Sequence, residues 1–202
     1  IEYGANVNEK GEVGSTALHW SAINGHADVS KVLLENGANV NAVDKSKSTP
    51  LHRAAYWKHI DVIKLLMMNG ANVNALTEKK KNTPLHFSAS KGHVDVAKLL
   101  IQNGANVNTE NERTLTPLHL SIKQKHFRFV LELVCCGANI DEKSIEMDST
   151  DTLKKIKERM CMLRNGERCE YLLSKEENRY LEFLAMCFAK RVPFAAFKAF
   201  YT

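Results

Sequence analysis

No stretch of this 202-residue chain stays apolar for longer than the seven residues 183–189. A membrane-spanning helix needs about 20, so the sequence offers none. Cysteine is scarce: five in all, with no Cys-x-x-Cys pair. Cys161 and Cys169 stand eight apart, and Cys187 lies in an apolar helical pattern. That spacing speaks against a zinc site or a disulfide scaffold and for a reducing compartment. A phosphate-cradling loop is missing too, because Gly11 and Gly14 sit among polar residues, not between a buried strand and a long helix. Charge of one sign is not concentrated anywhere. The net +5 comes from 16 basic and 13 acidic residues over 1–141, and 12 and 10 over the remainder, too weak and too even for a nucleic-acid footprint.

Histidine is absent beyond His126. The eight histidines occupy two recurring places: His19, His52, His86 and His119, then His26, His59, His93 and His126 seven residues later. Metal ligation or base catalysis is one reading of such residues. A side chain that recurs with the architecture belongs to the architecture, however, so these rings read as ordering turns. A cysteine nucleophile would then lack a base. The expectation is no enzyme, no cofactor and no metal.

What is present is a period. Thr16-Ala17-Leu18-His19 returns as Thr49-Pro50-Leu51-His52, Thr83-Pro84-Leu85-His86 and Thr116-Pro117-Leu118-His119, at steps of 33, 34 and 33 residues. Gly-Ala-Asn keeps step from Gly4, Gly37, Gly70, Gly104 and Gly137. Such a period marks units that bury their apolar faces only against neighbours. In one unit, Thr49 caps a short helix with Pro50 at its first position. A second helix near 61–69 carries Val62, Leu65 and Leu66 at helical spacing, and Gly70 ends it. Polar segments such as 41–48 and 74–82 connect the units.

These motifs resemble the ankyrin repeat over residues 1–141. The resemblance implies an all-α-dominated solenoid of helix-turn-helix units with β-hairpin fingers: the end of one repeat, then four starting near 15, 48, 82 and 115. It implies a non-catalytic protein-binding or scaffold module, monomeric, cytoplasmic or nuclear, with partners bound on the concave side. Finger tips and first-helix ends would line that side. Tyr56 and Trp57 are the aromatic exception there, joined by Lys45, Ile23, Asn24, Lys79, Lys80, Lys91, Arg113 and Lys123. The lysines would steer an acidic protein partner; neither nucleic acid nor membrane is expected. The resemblance also implies hydroxylation at the finger asparagines Asn41, Asn74 and Asn108, each eight residues after Leu33, Leu66 or Leu100. The plainer reading is that asparagine favours the turn.

Two departures stand out. Lys58 and Lys125 replace the inter-helix Gly25 and Gly92, and Phe127, Leu131 and Cys135 form an apolar stripe on the fourth second helix. Residues 142–202 leave the period and read as a helical extension covering that stripe. One helix is expected over 151–164 and another after the capping pair Ser174 and Glu177, with Phe194, Phe197 and Tyr201 continuing an apolar side beyond Pro193. With Ile1 in mid-repeat, the chain reads as a fragment, and the competing function is the substrate receptor of a ubiquitin-ligase adaptor or the regulatory region of a larger enzyme.

Overall fold

The computed structural model describes residues 4–147. By contacts the chain divides into a unit of residues 1–139 and a unit of residues 140–202. In the first unit the helices come in pairs: α1 (Ala17–Asn24) and α2 (Ala27–Glu35), α3 (Pro50–Trp57) and α4 (Ile60–Met68), α5 (Pro84–Lys91) and α6 (Val94–Gln102), α7 (Pro117–Lys123) and α8 (Phe127–Cys135). The second unit contributes α9 (Glu142–Met147), opened by Asp141, whose carboxylate accepts from the Ser144 amide at 2.8 Å.

Each first helix starts by one device. The Thr backbone N–H donates to the Nδ1 of the histidine three residues on, at 3.2 Å for Thr16 and 3.0 Å for Thr116, while Thr83 Oγ1 accepts from the His86 amide. This reciprocal capping satisfies groups a helix start leaves open. Each second helix ends with a left-handed glycine. At Gly70 (φ 81°) the following amide, Ala71 N–H, returns to Leu66 O at 3.0 Å, and the same closure recurs at Ala38, Ala105 and Ala138.

The helices form two layers. α1, α3, α5 and α7 pack side by side, and α2 packs on α4 and α6 on α8. Between the layers lie Leu18, Leu51, Leu85, Leu118, Leu66, Leu100 and Leu133, all fully buried. Each such leucine contributes about 2 kcal/mol by burial. Alanines and serines (Ala22, Ala54, Ala55, Ser88, Ala89) fill the gaps between first helices, so those helices approach closely.

The fingers differ from expectation. Among the described residues no strand forms. Each finger is closed across its ends by one backbone bond, such as Asp44 N–H to Ser48 O at 3.1 Å. Three of the four add a turn bond inside it, such as Lys47 N–H to Asp44 O at 2.9 Å, and neighbouring fingers touch through one more, such as Glu78 N–H to Ser46 O at 2.8 Å. In the second and fourth fingers the side-chain oxygens of Asp44 and Asn111 accept the amides at 46 and 48 and at 113 and 115, and in the third Thr77 Oγ1 accepts the Asn82 amide, capturing donors that a β-ladder would need. The helices expected over 151–164 and after Ser174 lie outside the described residues.

Candidate functional site

Among the proposed partner-binding residues, the structure brings three together. Tyr56 and Trp57 end α3 with their rings edge-to-face at 5.1 Å. Lys91, ending α5, places its ammonium 4.4 Å from the centre of the Tyr56 ring, a cation–π distance. Phe87, half-buried on α5, completes the cluster 5.9 Å from Tyr56 and 5.5 Å from the His52 ring. Tyr56 is held by this packing, whereas Trp57 remains 54% exposed.

Phe87 was missed in the sequence, and so was Trp20, 53% exposed on α1. Both occupy one register of the first helix, filled by Trp20, Arg53, Phe87 and Leu120 in turn. Its variation was the available signal. This register faces the fingers, because Arg53 forms an ion pair with Asp44 of the second finger. Burial disfavours the charged Asp44 carboxylate, but the bonds from Arg53, Ser48 and Ser46 outweigh it and hold its pKa below the usual value.

Ile23 and Asn24 occupy the Tyr56–Trp57 positions of the first repeat, but as fixed groups. Asn24 donates to Trp20 O at 2.8 Å, and Ile23 O accepts from His59 at 2.9 Å. Lys45, Lys79, Lys80 and Arg113 are exposed on the fingers and Lys123 on α7, outside the ring cluster.

The histidines staple repeats in both directions. Nε2 of His19, His52 and His86 donates forward to the carbonyls of Ser48, Asn82 and Leu115 at 3.0, 3.1 and 3.0 Å. Nε2 of His59, His93 and His126 donates backward to Ile23, Tyr56 and Ser90. A carbonyl only accepts, so Nε2 carries the hydrogen and Nδ1 the lone pair. Burial of their rings lowers His52 and His86 to a pKa of about 4, against the opposing pull of those carbonyl bonds.

Asn41, Asn74 and Asn108 are exposed or half-exposed, yet their amides are engaged. Asn74 donates to Gly104 O at 3.0 Å and accepts from the Asn106 amide at 2.9 Å, both in the next repeat, and Asn41 and Asn108 do likewise. The motif Gly-Ala-Asn-Val-Asn thus encodes a joint between repeats. Among the described residues no group of three or more His, Cys, Asp or Glu could hold a metal ion, and no helix is long and apolar enough to cross a membrane. Cys136 lies beside Glu132, and burial together with that carboxylate raises its thiol to about 11, far from a nucleophile's range.

The family model for ankyrin repeats (3 copies) matches residues 1–77 and 75–144. The chain belongs to the ankyrin repeat family. A comparison with curated proteins found no match. Ankyrin repeats are generally protein–protein interaction modules and typically non-catalytic. In this ankyrin array the histidines and finger asparagines are consumed in joining repeats, and variation is left to the first-helix ends and finger tips.

Proposed function

We propose that the protein is a non-catalytic scaffold that captures a protein partner on the finger side of its first helices, with Tyr56 and Trp57 as anchors. The observation that carries this reading is Trp57: a large ring 54% exposed, braced edge-on by a tyrosine that Phe87 and Lys91 hold in place. Exposed aromatics on a rigid support are the usual energetic centre of an interface. Lys45, Lys79, Lys80, Lys91 and Lys123 give the surroundings a basic character that draws an acidic partner and speeds encounter.

Replacing Tyr56 and Trp57 by alanine should weaken partner binding by more than about 2 kcal/mol. Trp57→Ala alone should leave the melting temperature nearly unchanged, since it removes exposed surface. Pulldown with the wild-type and mutant chains, followed by calorimetry on the captured partner, makes the measurement. Retention of the same partners at the same affinity by the double mutant defeats the reading.

A further inference from the structure

The four fingers form one continuous row. Lys45 N–H donates to Val13 O at 3.2 Å, Glu78 N–H to Ser46 O at 2.8 Å and Glu112 N–H to Lys80 O at 3.0 Å, so each finger backbone touches the next. Charge along this row changes sign twice. The first finger exposes Glu9 and Glu12 against Lys10, whose ammonium is turned to Val43 O at 2.9 Å. In the second and third, Lys47 and Glu78 cancel as an ion pair at 3.1 Å, and Arg53 cancels Asp44. Exposed Lys45, Lys79, Lys80 and Lys81 are left over. The fourth exposes Glu110 and Glu112 against Arg113. The row therefore reads acidic, basic, acidic.

The rings follow the same division. Tyr56, Trp57 and Phe87 stand on α3 and α5, the helices that follow the two basic fingers, whereas Trp20 is on α1, after the acidic one. In the second repeat the Trp20 register holds Arg53, whose guanidinium meets Asp44 of the finger before it. In the first repeat both members of that pair are changed. An indole, 53% exposed, replaces the guanidinium, and Gly11 takes the place of Asp44, its N–H closing on Ser15 O as Asp44 closes on Ser48. A Cβ added to Gly11 would meet nothing closer than Ser15 O at 3.7 Å. This corner suits a cation from outside: an open aromatic face to stack on, and the carboxylates of Glu9 and Glu12 on the adjoining finger.

We propose that the partner docks through a protein segment of ordered charge. Its carboxylates lie over the second and third fingers, with an apolar side chain at Trp57, and beyond them an arginine or lysine lies on Trp20. That cation supplies from the partner what Arg53 supplies to the second finger from within. A segment laid the opposite way meets like charge at both places, so the row also sets the partner's direction. This rests on the reading of the face as the partner site and gives that partner an order of charge.

The test is a selection of random 16-residue peptides displayed on phage, with the full chain as bait and the winners then synthesised. Winners should hold a run of acidic residues with an apolar one among them, and an arginine or lysine to one side of it. They should bind the Lys79→Glu/Lys80→Glu protein at least 10-fold more weakly, and the Glu9→Gln/Glu12→Gln protein at least 5-fold more weakly. The second loss should vanish when the peptide's basic residue is alanine, because the cycle isolates that contact. All four positions are exposed, so the variants should melt with the wild type. Winners without acidic residues, acidic winners indifferent to Glu9 and Glu12, or no enrichment at all overturn the charge order. If the winners overturning it still lose binding against the Tyr56→Ala/Trp57→Ala protein, the partner face stands without the order of charge. Winners indifferent to both rings remove the face, and this inference with it.

Discussion

At the turn between paired helices, glycine and lysine share one backbone conformation for different reasons. Gly25 (φ 74°) leaves no room: a Cβ there would lie 2.3 Å from His59 Nδ1, and one on Gly92 2.8 Å from the His126 ring. Lys58 (φ 65°) and Lys125 (φ 58°) hold the same left-handed geometry with a side chain, at a cost of about 1 kcal/mol each. Lys58 recovers little through Asp95, 3.2 Å away, because both groups are about half exposed. Gly25→Ala should therefore cost about 2 kcal/mol or more in urea unfolding, through backbone strain and displacement of the His59–Ile23 bond. Lys58→Gly should shift stability by no more than about 1 kcal/mol, in the stabilising direction. A silent Gly25→Ala would mean that His59 does not pack where the structure puts it. The sequence showed the substitution of lysine for glycine, but only the structure shows that the turn keeps its hand.

Among elements, the repeat joints carry the array, and the finger asparagine is the clearest. Asn74→Ala removes two bonds between the second and third repeats, to Gly104 O and from the Asn106 amide. Water reaches these exposed groups, so the loss should sit near the low end for hydrogen bonds, about 1–2 kcal/mol. Its distribution is more telling than its size. In a one-dimensional array a weakened joint lets neighbours open separately. Hydrogen exchange should then quicken in α3 to α6, which flank the joint, well before α1 and α2. Uniform acceleration across all repeats would show that this joint does not limit cooperativity. The helices and their ends were legible in the sequence because capping threonine, Pro at the first position and the closing glycine are local signals. The finger conformation was not, because Asp44, Thr77 and Asn111 withdraw donors a hairpin ladder needs, and that outcome depends on side-chain rotamers. Trp20 and Phe87 escaped for a related reason. Their exposure depends on the finger opposite, where Arg53 in the same register is drawn to Asp44.

Across the whole molecule the histidine staples act together, and they make the fold acid-sensitive. The capping rings of His19, His52 and His86 have Nδ1 facing a threonine N–H and Nε2–H facing a carbonyl, so a second ring proton on Nδ1 would meet a donor. That geometry and burial agree in direction, and His52 and His86 fall to about 4 from the ordinary 6.5. His19 and His93 are lowered as well, burial being the main cause in each. The charged groups facing His52, Arg53 and Asp44, pull in opposite directions and are neutralised against each other. Between pH 6.5 and 4 the unfolded chain binds protons that the folded chain refuses, so stability is complete above that window and is lost as pH falls through it. Each unit of depression is worth about 1.4 kcal/mol per group. His52 and His86 alone therefore give a slope of up to about 2.7 kcal/mol per pH unit. The lowered pKa values of Asp44 and Asp95 act in a separate window, below the ordinary carboxylate value of 3.8. Urea midpoints measured at pH 7.5, 6 and 5 should already drop between the first two and then fall more steeply. Replacing His52 and His86 by glutamine should lower stability at pH 7.5 but flatten the fall toward pH 5. A wild-type midpoint unchanged from pH 7.5 to 5 would show that the rings accept protons without leaving their carbonyls.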